Sequence, residues 1–451
     1  MTRHGPATKA GSPAAPREAA HSGAPRAAAR DRLRARTAAS AALLVVASTM
    51  VACGSGSSHS AGPNASCPAG IPGVTPNSIK IGLVLPDTGG PVAEAFRPAR
   101  GAVDARIAKQ NAAGGVNGRQ IDVTWQDDEG DAGVFTHAVQ TLVQTDQVFG
   151  LIAQTVNLTD QSASWLQQAG VPVTGLPTSP IWSNYSNVFH LGSLFNKGGA
   201  VDTYGRYIKA QGGTKALIVI DPSAPTSANL ADQMAPSLRS QGITVVGQTS
   251  YSENSSNPAK VATQLRQEGA DTLVGAVQAD AFIDIYAAAR AANVNLKVAL
   301  SSSDYGPAQI KQRGKAMAGM SMTMAFQSYT SNSPAIKAYQ EAMTTYSPET
   351  ESPFDDLAIV SYAAADEMIK GLELAGACPT RQSFITNLRK VTSYDAGGLL
   401  APTNLSKPHD PVSCFNFLKV SASGDSFATV PGNSPSGFWC GDPVPASASG
   451  S

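Results

Sequence analysis

Net charge, aromatic side chains and catalytic signatures are what this 451-residue chain lacks. Its 33 basic and 33 acidic residues cancel, which removes the field that nucleic-acid binding requires. Aromatics supply only 6% of residues, yet 42% are hydrophobic, enough for a packed core and too much for a disordered chain. There is no Gly-x-Ser-x-Gly elbow, P-loop or His-Glu-x-x-His pair. Of six histidines, His4, His21 and His59 precede the folded region, while His137, His190 and His409 lie far apart with no partner pattern. With no Cys-x-x-Cys or paired histidines either, no metal or other cofactor is expected. A lipoprotein enzyme is the least supported class.

The charge balance hides two different segments. Residues 1–52 hold eight basic and two acidic groups, leaving 25 basic and 31 acidic, net −6, for the remainder. A basic lead ends at Arg36, and an uncharged apolar run covers 37–52. That run is shorter than the roughly 20 residues a bilayer span needs and suits a secretory signal. It closes on Met50-Val51-Ala52-Cys53-Gly54, which resembles the bacterial lipobox and implies lipidation of Cys53. A Gly/Ser-rich stretch follows, so residues 53–77 read as a flexible tether. No later apolar stretch is long enough to span a membrane. The expected location is extracytoplasmic, held to the cell membrane through Cys53.

Four cysteines remain: Cys67, Cys378, Cys414 and Cys440. An even count in an exported chain reads as disulfides, with three possible connectivities. The preferred pairing is Cys378–Cys414, closing a local loop, with Cys67–Cys440 tying the ends together.

From Ser78 short apolar runs alternate with amphipathic segments. Strands are expected at 79–85, 121–126, 148–153, 171–174, 216–220, 244–249, 272–277 and 297–300. Helices are expected at 97–112, 134–145, 162–169, 199–211, 228–241, 258–268 and 282–292. Longer helices at 335–346 and 357–375 precede a strand at 413–420. This alternation means parallel sheets covered on both faces. About 370 ordered residues exceed one sheet core, so two Rossmann-like α/β lobes are expected.

Ser78-Ile79-Lys80-Ile81-Gly82, Thr88-Gly89-Gly90-Pro91, Asn111-Ala112-Ala113-Gly114-Gly115-Val116-Asn117-Gly118-Arg119 and Asp127-Asp128-Glu129-Gly130-Asp131 follow one another in strand-then-loop order. Together they resemble the leucine/isoleucine/valine-binding family of type I periplasmic receptors, which serve ABC importers. The glycines report fold rather than ligand. Gly114-Gly115 ends a helix at positive φ, and Asn117-Gly118 makes a tight turn. The aspartates lack EF-hand spacing and read as solvated carboxylates capping the next helix.

Ligands of parallel sheets bind beyond the carboxyl ends of strands. Thr155 and Asn157 lie in the loop that, in the resembling family, holds a ligand carboxylate; N-capping by Asn157 or Thr159 is the competing role. Thr178 matches the segment that holds the amino-acid head. Asp304 is placed to pair with an ammonium, or else to cap a helix or face solvent. Phe96 is a candidate pocket wall. Gln278 stands where the family has an aromatic, and prolines replace another, so branched-chain specificity is not carried over.

The resemblance implies lobe 1 at 78–191 plus 328–391, lobe 2 at 193–326 plus 392–445, and three hinge crossings near 190–193, 325–328 and 392–397. The expected protein is a monomeric, lipid-anchored receptor that closes on an amino acid or related carboxylate and presents it to an ABC permease and ATPase. A sensory receptor of the same fold is the alternative.

Overall fold

The computed structural model describes residues 67–445 except Ala69, residues 193–198, Asn254 and residues 303–305. The signal segment, Cys53, most of the tether and Asp304 therefore lie outside the described residues.

The first sheet is built by β1 (Ser78–Leu85), β2 (Gln120–Asp127), β3 (Gly150–Ala153), β4 (Val173–Gly175) and β5 (Val188–His190). They lie in the order β2-β1-β3-β4-β5, all parallel. Between β1 and β2 come α1 (Pro91–Phe96) and α2 (Ala99–Ala112), separated at Arg97-Pro98. The helix expected at 97–112 is α2, starting two residues later, and α1 occupies a stretch expected to be loop. Pro98 supplies no N–H, and α2 starts immediately after it. Next come α3 (Ala132–Gln140), continued by a π-turn at Thr141–Thr145, and α4 (Asp160–Gln168). The Gly-Gly and Asn-Gly readings hold: Gly115 has φ +73, and a Cβ there would stand 1.9 Å from the Arg119 carbonyl oxygen. Asn117 takes φ 50, and Val116 pairs across the turn with Arg119.

The chain then leaves for a second sheet. It forms α5 (Thr203–Ala210), β6 (Lys215–Ile220), α6 (Pro225–Ser240), β7 (Thr244–Ser250), α7 (Pro258–Glu268) and β8 (Thr272–Ala276). Helix α8 (Ala279–Ala291), β9 (Val298–Ser301), α9 (Pro307–Met317) and β10 (Ser321–Met324) follow. Helices α10 (Pro334–Tyr346), α11 (Asp356–Ala375) and α12 (Arg381–Leu388) return to the first sheet, where α11 packs on α2, α12, β3 and β4. The chain crosses once more to add β11 (Cys414–Val420), β12 (Phe427–Val430) and β13 (Trp439–Cys440). The second sheet runs β12-β11-β10-β9-β8-β6-β7, with β13 on β11. Its β7-to-β10 portion is parallel, and β11 to β13 are antiparallel. Two parallel-dominated α/β sheets are therefore present, as expected.

All four cysteines are oxidised, but the Cys378–Cys414 and Cys67–Cys440 pairing is overturned: Cys67 bonds Cys378, and Cys414 bonds Cys440. Antiparallel register decides the second bond, because β11 and β13 set Cys414 directly opposite Cys440, with Cα atoms 4.1 Å apart. Beside the first, buried Arg119 donates to Thr75 O at 2.8 Å, Ala377 O at 2.7 Å and Cys67 Sγ at 3.1 Å. This guanidinium gathers the start of the fold and the turn after α11 into one place.

Candidate functional site

The carboxyl ends of β1 to β4 carry a linked set of loops. Asp127, closing β2, accepts from Asp87 N at 2.9 Å, Thr88 N at 3.1 Å, Glu129 N at 2.8 Å and the Thr88 hydroxyl. Burial opposes ionisation there, yet these donors win and hold the Asp127 carboxyl below the usual range. Asp128 is fully buried. One oxygen accepts the Thr155 hydroxyl and the other the Gly130 N–H at 2.9 Å. Asp131 caps α3, accepting from Gly133 N at 2.7 Å and Val134 N at 3.0 Å. The capping reading therefore holds for Asp131, whereas Asp128 is neither solvated nor a cap.

The loop after β3 is pinned by the same bonds. Gln154 is buried and accepts the Ser361 hydroxyl from α11 at 3.0 Å. Thr155 has 0% exposure, and its hydroxyl both donates to Asp128 and accepts Asn157 N–H at 3.0 Å. It acts as a strut, its hydroxyl proton already spent on Asp128. Thr159, not Asn157, caps α4, in a reciprocal pair with Ser162. Asn157 is half-buried, and its Nδ2 is enclosed with no hydrogen-bond partner. In the loop after β4, the half-buried Thr178 hydroxyl donates to Thr155 O at 3.3 Å, and the enclosed Ser179 Oγ has no partner. The structure thus brings Thr155, Asn157 and Thr178 to one sheet edge and adds Ser179, whose position directly after Thr178 was the only sequence signal for it.

The remaining candidates separate. Phe96 closes α1 inside the hydrophobic core at 4% exposure. Its place at the end of a helix rather than in an open loop turns the ring into the core and away from the role of a pocket wall. Gln278, on the second sheet, is exposed at the N-cap position of α8 without a capping bond. Nearby Asp280 and Asp284 both hold Arg313. Among the described residues no three His, Cys, Asp or Glu side chains gather as a metal site.

The chain passes between the sheets three times, after β5, after β10 and after α12. The second and third passages are bonded to each other, and β11 is bonded to the second. Phe326 pairs with Leu400, Gln327 N donates to Leu399 O at 2.8 Å, and Asn416 Nδ2 donates to Phe326 O at 2.8 Å.

A family model described as periplasmic binding protein matches residues 78–425. The chain belongs to the periplasmic binding protein family. This periplasmic binding protein is thereby a solute-binding, extracytoplasmic type, and no described helix is long and apolar enough to cross a membrane. Comparison with curated proteins gives no match. Solved structures share its fold at low identity. The branched-chain amino acid transporter substrate binding protein LivJ from Streptococcus pneumoniae, in complex with isoleucine, has TM-score 0.61 and 17% identity over 78% of this chain and 99% of that one. A fatty acid ABC transporter substrate-binding protein from Thermomonospora curvata has TM-score 0.63 and 19% identity over 81% and 95%. An ABC transporter solute binding protein from R. palustris, in complex with benzoate, has TM-score 0.59 and 17% identity over 81% and 97%.

Proposed function

We propose that this protein is the lipid-anchored receptor of an ABC importer and closes its two lobes on a small carboxylate, an amino acid or a relative of one. The observation that carries the reading is the pair of enclosed, unpaired groups on adjacent strand-end loops, Asn157 Nδ2 and Ser179 Oγ, beside the weakly engaged Thr178 hydroxyl. Buried donors without partners are costly unless a ligand completes them. An acceptor-only group such as a carboxylate does so, while Asp127 and Asp128 are already occupied by protein donors. Isoleucine, benzoate and fatty acids, bound or transported by proteins of the same fold, share a carboxylate and little else. Residues 78–191 with 328–391 form the first lobe in this reading, and 193–326 with 392–445 the second. Ligand contacts to both favour the closed form, which the permease reads.

The test is calorimetry with isoleucine, benzoate and a medium-chain fatty acid, each beside its amide. Removing the Thr178 hydroxyl as Thr178→Val deletes a bond to a charged group worth about 1.5–3 kcal/mol, so affinity falls roughly 10–150-fold. Asn157→Leu acts in the same direction. Amides binding as tightly as acids, or both variants binding like the wild type, would move the site elsewhere.

A further inference from the structure

Helix α11 seats the hinge through two consecutive acids. Asp366 takes Arg106 of α2 at 2.7 Å and the Tyr394 hydroxyl of the third passage at 2.9 Å. Tyr394 in turn exchanges backbone bonds with Thr403 at 2.9 and 2.7 Å. Its neighbour Glu367 has 0% exposure, and neither carboxyl oxygen has a hydrogen-bond partner. The cation near it is Arg389, at the end of α12. Arg389 spends its terminal nitrogens on carbonyls: Leu405 O at 2.9 Å, Ser186 O at 3.0 Å and Val188 O at 2.7 Å. Its guanidinium also lies 4.1 Å from the Phe189 ring centre. Those bonds fasten β5, which leads into the first passage, to Leu405 at the end of the third. The Arg389 Nε is enclosed and unpaired. A buried carboxyl and a buried guanidinium nitrogen, both unpaired and close enough to feel each other's charge, thus lie beside the hinge without being bonded.

We propose that Glu367 is a proton-operated latch on the hinge: protonated, it leaves Arg389 on the carbonyls that fasten the first passage to the third; ionised, it draws the guanidinium off them and the passages loosen. Burial pushes the Glu367 carboxyl up to about 8, with Arg389 pulling it down and Asp366 pushing it up. The proton is therefore held across neutral pH and lost in mild alkali. Of the other titratable groups around it, Tyr394 from the third passage faces both acids, Arg106 and Lys109 from α2 lie with Asp366, and His190 from β5, with His409 beside it, lies with Arg389; β3 and β4 contribute no charge. Arg106 is held by Asp366 and not by Glu367. His190 stays neutral across this range, since burial and then Arg389 push it down to about 4. Glu367 is thus the acid here whose charge changes near pH 8.

The inference rests on the lobe motion proposed above but is read without any ligand or permease. Infrared difference spectra of wild-type protein carrying isotope-labelled glutamate are compared with those of Glu367→Gln, from mildly acid to mildly alkaline pH. A protonated-carboxyl stretch is expected at neutral pH, lost as pH rises through about 8, and absent from the variant. Amide hydrogen exchange then follows Thr403, Leu405 and Gln327. Between pH 7 and 9 their protection in wild type falls on the order of tenfold after correction for intrinsic rates, while Glu367→Gln holds steady. An ionised Glu367 at neutral pH overturns the latch, and so does equal loss of protection in both proteins. If Glu367→Gln does not fold, the labelled wild-type spectrum and its own exchange profile decide alone.

Discussion

Thr155→Val is the sharpest probe of the sheet edge, because Thr155 and Thr178 are the same residue type and the proposed reading gives them opposite roles. Thr155 is fully enclosed, donates to a buried carboxylate and accepts one backbone N–H. Valine matches its shape, so no cavity opens, but two partners are stranded. An unpaired oxygen on buried Asp128 costs about 1.5–3 kcal/mol, and an unpaired Asn157 N–H adds roughly 1 kcal/mol. A loss of roughly 2–4 kcal/mol in unfolding free energy is expected, measured by denaturant titration with tryptophan fluorescence at constant m-value. Asp128→Asn removes the buried charge, and with its amide oxygen toward Thr155 it strands only the Gly130 N–H against its NH2 group, so it should cost less. The double variant should be less damaged than the sum, because the stranded charge is gone. Thr178→Val, by contrast, should leave stability within about 0.5 kcal/mol, as substitutions away from buried networks do. If Thr155→Val instead kept full stability and lost ligand affinity, the strut reading would be wrong and Thr155 would be a ligand contact.

Two buried groups set opposite pH limits. Glu367 titrates near 8 when folded against an ordinary 4.5, so its contribution is complete below pH 4.5 and is lost as pH rises to about 8, by up to ~5 kcal/mol. His190, pushed down to about 4, keeps its contribution above pH 6.5 and loses up to ~3 kcal/mol as pH falls toward 4. Denaturation at several pH values should show Glu367→Gln flattening the fall between about pH 4.5 and 8; a variant that tracks the wild type refutes the assignment. Peptide mapping without reduction should recover Cys67–Cys378 and Cys414–Cys440 linked peptides, and any Cys378–Cys414 peptide contradicts the fold. Cys53→Ala should move the protein from the membrane to the soluble fraction with its folded domain intact, and unchanged fractionation would remove the anchor.

Legibility in the sequence followed burial on both faces. Residues 81–85 of β1 and 273–276 of β8 are unbroken apolar runs, and α11 carries a long apolar stripe, so each declares itself. Strand β10, Ser-Met-Thr-Met, is fully buried yet polar at alternate positions, and its short length hid it. Strand β5 has three residues, too few for a pattern. The loops proposed as the site lie at strand ends, where their positions follow from the strands themselves. What could not be read was which hydroxyl faces inward: Thr155 is taken by Asp128, a residue 27 positions earlier that arrives from β2, on the far side of β1. The disulfide pairing failed for the same reason, since it depends on β11–β13 register and on Arg119 reaching Ala377 across 258 positions.

That long reach bears on how the chain becomes folded. The first sheet's covering helix α11 and its clasp at Cys378 come from the last quarter of the sequence, and the Cys67–Cys378 link spans 311 positions. The second sheet waits later still, for β11 to β13. Delivered amino-terminus first, the polypeptide has neither half complete until almost all of it has emerged. Contacts this distant fold slowly, because loop closure must be met before they reward it. A chain threaded through a narrow passage stays threadable for that whole time, and its two halves then reach the native state together.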